Sequence, residues 1–297
     1  MIAMLNLLKS DLYRISRPCG LRGSLWQYGL ALALVYILIF LTLFILGLPS
    51  IQDNFAIPTN LLKDFTTFAS PTQALASLTG DIVPLCATFM TVELALSDFK
   101  QGFIRTLTSA RRGRQSYFAE KVLAAGAISL VLIAITSVVV LALVTLAGGA
   151  YAHADTPASV AIWALGFWLN TWALSALSLI FVYATRVNPV SYIGAWCLCV
   201  SIVPQTLMGL SYSSGGLLRF LQPVAPLLET LAAWIPSTAI SNLAEGGNGL
   251  LGASIDIWGA TSSALTINPA AQTILTGVIW IALAALVVLA IARSRDV

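Results

Sequence analysis

The stretch LWQYGLALALVYILIFLTLFILGL, Leu25 to Leu48, decides the fold class, because it contains no charged residue from end to end. A helix crosses a hydrocarbon core of ~30 Å in ~20 residues, so these residues read as a membrane span. Five further apolar stretches of similar length follow: 75–97, 122–148, 160–185, 189–210 and 270–292. Asp81 divides the second, leaving Ile82 to Ser97 as its longest apolar part, with Glu93 inside it. Composition agrees, with 58% hydrophobic residues, 9% charged residues and a mean hydropathy of +0.90. A soluble domain is nearer half apolar and a quarter charged. Chain-long polar–apolar alternation is absent, which argues against a membrane β-barrel. The expectation is one all-α integral membrane domain over 1–297, with six transmembrane helices.

Orientation follows from lysine and arginine. With six spans, both termini share a side with the loops after the second and fourth. That side holds thirteen of the fifteen basic residues: Lys9, Arg14, Arg17 and Arg22, then six between Lys100 and Lys121, then Arg186, Arg293 and Arg295. The other side has Lys63 and Arg219 against seven acids. Both termini are therefore expected in the cytoplasm. Ahead of the first span, Met4, Leu5, Leu8, Leu12 and Ile15 recur at helical spacing, with Lys9, Asp11 and Arg14 between them. Residues 1–20 thus read as an amphipathic helix lying in the inner interface rather than a signal peptide, whose apolar core would carry no such charges.

Catalytic chemistry finds little support. The single histidine, His153, falls in a short outer loop, and no aspartate pair sits within two apolar segments. Cys86, Cys197 and Cys199 fall inside spans and Cys19 on the cytoplasmic side, with no histidine cluster to complete a metal site, so they read as packing residues. A P-loop requires a Gly-Lys-Ser/Thr triplet. The four lysines, Lys9, Lys63, Lys100 and Lys121, follow Leu, Leu, Phe and Glu, so no nucleotide site is expected in this chain. No catalytic residue, cofactor, metal or nucleic acid is assigned.

The most informative loop is SDFKQGFIRTLTSARRGRQSYFAEK, Ser97 to Lys121. Asp98 is placed to cap a new helix, with Gln101 three residues on as in a capping box. Phe99, Phe103 and Leu107 would form its apolar stripe, Lys100 and Arg105 would face elsewhere, and Gly102 would admit another backbone. Region 98–115 then reads as a short amphipathic helix suited to receiving force from a soluble partner, or as a plain basic loop on anionic lipid. Segment 211–269 is long for a loop and apolar, with Leu217, Leu221, Val224, Leu228, Leu231 and Ile235 at helical spacing, broken by Pro223, Pro226 and Pro236. Its helices either dip back into the outer leaflet or lie flat on it. The stretch EGGNGLLGAS, Glu245 to Ser254, reads as a flexible connection. Pro84 and Pro204 are expected to kink their helices. Within the spans, Glu93 either snorkels, pairs with Arg105 or Lys100, or serves function, while Asn170 and Gln205 are candidates for a dimer seam or pathway. Trp163, Phe167, Trp168 and Trp172 are expected to pack and anchor rather than bind cargo.

These features resemble the membrane subunit of ABC type-2 transporters, with a type V exporter-like fold. The matching pieces are the opening LLKSDLYRI (Leu7 to Ile15), an acid at Glu93 or Asp98, Gly102, Arg114 followed seven residues later by Lys121, and the closing ARSRDV (Ala292 to Val297). The resemblance implies a coupling helix between spans two and three, carried by Asp98, Phe99, Lys100, Gln101, Gly102, Phe103, Ile104, Arg105 and Arg114. It implies a separate ATPase subunit that binds ATP and Mg, and a second permease copy, identical or related. It further implies re-entrant outer helices resembling a gate, and a bacterial cytoplasmic membrane. The function expected is export of an amphipathic or apolar cargo, such as an antibiotic, an antimicrobial peptide or a lipid-like molecule. A proton-coupled secondary transporter and a non-transporting assembly or sensor subunit are the alternatives.

Overall fold

In a computed structural model of the chain, residues 2–16, 25–46, 67–100, 111–213, 219–252 and 268–294 are described. About 90% of them are helical. In chain order the helices are α1 (Ile2–Ser16), α2 (Leu25–Leu46), α3 (Pro71–Thr79), α4 (Ile82–Lys100), α5 (Arg111–Leu146) and α6 (Pro157–Thr185). Then come α7 (Asn188–Cys199), α8 (Ile202–Ser213), α9 (Ala225–Ala233), α10 (Pro236–Asn242), α11 (Gly246–Gly252) and α12 (Pro269–Ser294). Local chemistry accounts for several ends. Ser70 and Thr156 accept from the backbone N–H groups of Gln73 and Ser159 at 3.2 Å, with Pro71 and Pro157 opening the helices behind them. Arg186, at φ 57°, stops α6 in the left-handed conformation.

Five helices are long and apolar enough to cross a membrane: α2, α4, α5 from Gln115, α6 and α12. Helices α7 and α8 qualify only together, and they bend by 60° at Val200–Ser201. Stretch 189–210 is therefore two helices bent at a break and not one continuous helix. The second stretch is also divided, where Asp81 had marked it, so α3 is separate and α4 is the apolar helix. Arg111 rather than residue 122 opens α5, which reaches well ahead of its apolar part. The outward face of α2 carries Leu30, Leu34, Leu38, Leu41 and Ile45 exposed, the reverse of a water-facing surface. The fold is that of an α-helical, membrane-embedded protein.

Helix α6 is the hub. Of its most apolar window 72% is buried, against 22% for α2 and α12 at the periphery. Small residues let neighbours close on it. A Cβ on Gly277 of α12 would come within 2.7 Å of Leu169 Cβ, and one on Gly126 of α5 within 2.6 Å of the Trp172 ring. Trp163 stacks on Phe167 with centroids 5.3 Å apart, and Trp168 on Trp172 at 5.4 Å. The indoles of Trp168 and Trp172 donate to the Gly126 and Val122 carbonyls at 2.9 and 2.7 Å. These aromatics are packing residues.

At one end of the bundle the chain does something the helical reading missed. Thr67–Phe68 (β1) pairs in parallel with Ala150–Tyr151 (β2), Thr67 opposite Ala150 and Phe68 opposite Tyr151. Beyond them, short helices α9 to α11 start at or next to Pro226 and Pro236 and at Gly246. The glycine-rich stretch is not a flexible connection over its described part. Gly246 to Gly252 forms α11, the Gly247 N–H donates to Thr72 Oγ1 at 2.9 Å, and a Gly247 Cβ would lie 2.3 Å from the Ser159 carbonyl oxygen.

Candidate functional site

At the opposite end, α1, α4 and α5 converge on a buried ion network. Leu8, Asp11 and Ile15 share one face of α1 at helical spacing, and that face turns inward: Asp11 and Ile15 are buried. Asp98 sits two residues before the end of α4, and Tyr117, Glu120 and Lys121 occupy consecutive turns of α5. Lys121 Nζ is the centre. It lies 2.7 Å from Asp98 Oδ2 and 3.8 Å from Glu120 Oε2, and it pairs with Asp11 Oδ2. Arg14 Nη1 bridges Asp98 Oδ1 at 2.9 Å and Asp11 Oδ1 at 3.2 Å. The Tyr117 hydroxyl donates to Asp98 Oδ2 at 2.8 Å, and Lys121 Nζ stands 5.1 Å from the Tyr117 ring centroid.

Burial makes this network consequential. The Asp98 side chain is 0% exposed and that of Lys121 2%, whereas Arg14 keeps 22%. An exposed ion pair contributes at most ~1 kcal/mol. A buried pair need not stabilise relative to apolar residues, but deleting one partner costs ~3–5 kcal/mol because a charge is stranded. Burial works against the Arg14 charge, yet Asp98 and Asp11 hold its guanidinium pKa above the ordinary value. The arrangement therefore specifies which helices meet, and where. Among the described residues no group of three or more His, Cys, Asp or Glu side chains is arranged to hold a metal ion.

The residues singled out by sequence fare differently. Asp98 does not cap a new helix: α4 runs through it to Lys100, and its carboxylate is spent on Arg14, Tyr117 and Lys121. Phe99 packs on Tyr183 with centroids 5.9 Å apart, beneath Arg186 at 5.6 Å. Lys100 is exposed in the last turn of α4. Gln101, Gly102, Phe103, Ile104 and Arg105 lie outside the described residues, and Arg114 is described only as part of the α5 backbone. Glu93 accepts from the Tyr28 hydroxyl of α2 at 3.1 Å. Asn170 is fully buried between α6 and α12, donating to the Gly166 and Thr273 carbonyls at 2.8 and 3.0 Å. It therefore faces this chain's own interior, not a dimer seam or a pathway. Gln205 is exposed on α8 and lines a cavity.

Asp11 and Glu120 are the residues the sequence reading passed over. The signal for Asp11 was its position: three residues after Leu8 and four before Ile15, it interrupts the very stripe that docks. For Glu120, adjacency to a lysine that opens an apolar run was the available hint. No family model, curated protein or solved structure matches the chain.

Proposed function

We propose that this chain is the transmembrane permease subunit of an ATP-driven exporter of the ABC type-2 kind, moving an amphipathic or apolar cargo outward. In this reading α7 and α8 together make the fifth of six crossings, and both termini and the ion network face the cytoplasm of a bacterial cell. The helices between α8 and α12 form an outer gate, dipping into the outer leaflet. A separate subunit binds ATP and Mg and seats on the segment 98–115, and a second permease copy completes the pathway.

One observation carries the reading: Asp98 and Lys121 hold the two helices flanking residues 101–110 to each other, and Arg14 and Asp11 lock α1 onto both. A push on the intervening segment would move three helices as one body instead of flexing a loop. Coupling a soluble motor to a membrane bundle requires that rigidity. The test is reconstitution with a Walker-type ATPase encoded beside this chain. Complex formation and cargo-stimulated hydrolysis are expected. Phe103→Asp should uncouple hydrolysis from efflux while leaving insertion intact, because a carboxylate in an apolar groove is left unpaired. Unchanged coupling in that variant would overturn the assignment.

A second reading, proton-coupled transport, rests on Glu120, a buried carboxyl whose Oε1 has no hydrogen-bond partner among the described residues. Efflux driven by a pH gradient without ATP, abolished in Glu120→Gln, would favour it.

A further inference from the structure

Two helix breaks in this chain share a sequence and a place. At the first, α3 ends and α4 begins with Asp81-Ile82-Val83-Pro84; at the second, α7 ends and α8 begins with Ser201-Ile202-Val203-Pro204. In each, an Asp or Ser of the type that caps helices stands ahead of Ile-Val-Pro, and the proline removes one of the two N–H groups that such a cap could bind. Ser201 is held at φ 56°, a left-handed conformation that a non-glycine residue adopts at a cost.

The two breaks face one cavity. It has a volume of ≈ 770 Å³ and is lined by both Asp81 and Ser201. A smaller recess of ≈ 220 Å³, also lined by both, lies next to it. The volume falls within the ~300–1,000 Å³ typical of small-molecule sites. The larger wall is mostly apolar, with Leu85, Pro204, Met208 and Tyr212 among its residues, and Asp81 is its one charged residue. Among the described residues no cation pairs with Asp81; the ion pairs all lie in the network around Lys121.

We infer that this cavity binds a monovalent lipophilic cation, an apolar body carrying one delocalised or amine-type positive charge, with Asp81 as its counter-charge. An apolar wall without a charge would accept neutral and anionic amphiphiles equally. A carboxylate in that wall discriminates by sign, attracting a cation and repelling an anion, although Asp81 is itself exposed. Met208 and Tyr212 suit a soft cation, through polarizable sulfur and an aromatic face. That the bound cation is cargo rests on the exporter reading; that it binds does not.

The test uses two ions of nearly equal size and opposite charge, tetraphenylphosphonium and tetraphenylborate, and the full chain alone in nanodiscs without ATP or partner. Saturable binding of tetraphenylphosphonium is expected, with tetraphenylborate at least tenfold weaker. Asp81→Asn should weaken the cation at least tenfold and leave the anion unchanged, whereas Asp81→Glu should retain most of the cation affinity. Gly209→Phe, at a lining position where an added Cβ meets nothing within 4 Å, should block binding without altering the melting temperature. Equal affinity for both ions, or cation binding indifferent to Asp81→Asn and Gly209→Phe, would overturn the proposal. Failure of ATP-driven efflux with binding intact would instead count against the exporter reading alone.

Discussion

Arg14 and Asp98, 84 positions apart in the chain, meet at 2.9 Å, and the same guanidinium nitrogen also reaches Asp11 at 3.2 Å. This joins an N-terminal helix of modest apolarity to the end of a membrane helix. Arg14→Ala should loosen α1 ahead of everything else, since Arg14 is the more exposed anchor and Asp11 keeps Lys121. A charge-assisted hydrogen bond contributes ~1.5–3 kcal/mol. Amide exchange over 2–16 should accelerate on the order of tenfold or more, with α6 unchanged. Uniform acceleration along the chain would show that the network stabilises the bundle as a whole instead.

Asp98 and Lys121 offer a charge-balance test. Asp98→Asn removes the carboxylate that Arg14 and Lys121 share, and Lys121→Met removes the cation that Asp11, Asp98 and Glu120 share. Each single substitution should lower stability by about 3–5 kcal/mol. The double variant removes one charge of each sign and keeps the Arg14–Asp11 pair, and should cost clearly less than the two singles summed. Reversible unfolding in mixed micelles measures this, and strict additivity would contradict the network.

What the sequence made legible was whatever depends on neighbours along the chain. The charge-free run of α2, the interruption at Asp81 and the proline starts of α9 and α10 each follow from a few adjacent residues. The ion network does not, because Asp11 meets a lysine 110 positions away. Read alone, Asp98 ahead of Gln101 has the pattern of a cap; only the arrival of Arg14 and Lys121 gives it another role. Asn170 was misplaced for a similar reason. An amide in an apolar helix signals a polar partner, and here that partner is a backbone carbonyl, which every residue possesses.

Asn170 bears on how much membrane hydrogen bonds contribute. It ties α6 to the Thr273 carbonyl on α12, yet such bonds average only ~0.6 kcal/mol in membranes. Asn170→Ala should therefore cost under ~2 kcal/mol. Gly277→Val, which forces two helices apart at a 2.7 Å contact, should cost more, about 1–3 kcal/mol or above. Thermal shifts in one detergent compare them directly, and the reverse order would mean the amide dominates this seam.

Gly247→Ala tests whether α11 is docked. Its new methyl would meet the Ser159 carbonyl at 2.3 Å, and backbone cannot step aside as a flexible side chain can. The α11–α6 contact should open, exposing Gly246 to Gly252 to protease while the long helices stay protected. Wild-type resistance to cleavage in this variant would restore the picture of a loose connection.

The parallel pairing of Thr67–Phe68 with Ala150–Tyr151 has a consequence in time. Parallel strands cannot be joined by a tight turn, and here two apolar helices, α4 and α5, separate the partners in the chain. During synthesis at ~5–20 residues per second, the second strand emerges roughly 4–17 s after the first. Throughout that interval residues 67–68 have no strand partner, and both intervening helices must insert before the ladder can close. The pairing is thus a late event in biogenesis, and a nascent chain halted before Ala150 would lack this join between the segments ahead of α3 and after α5.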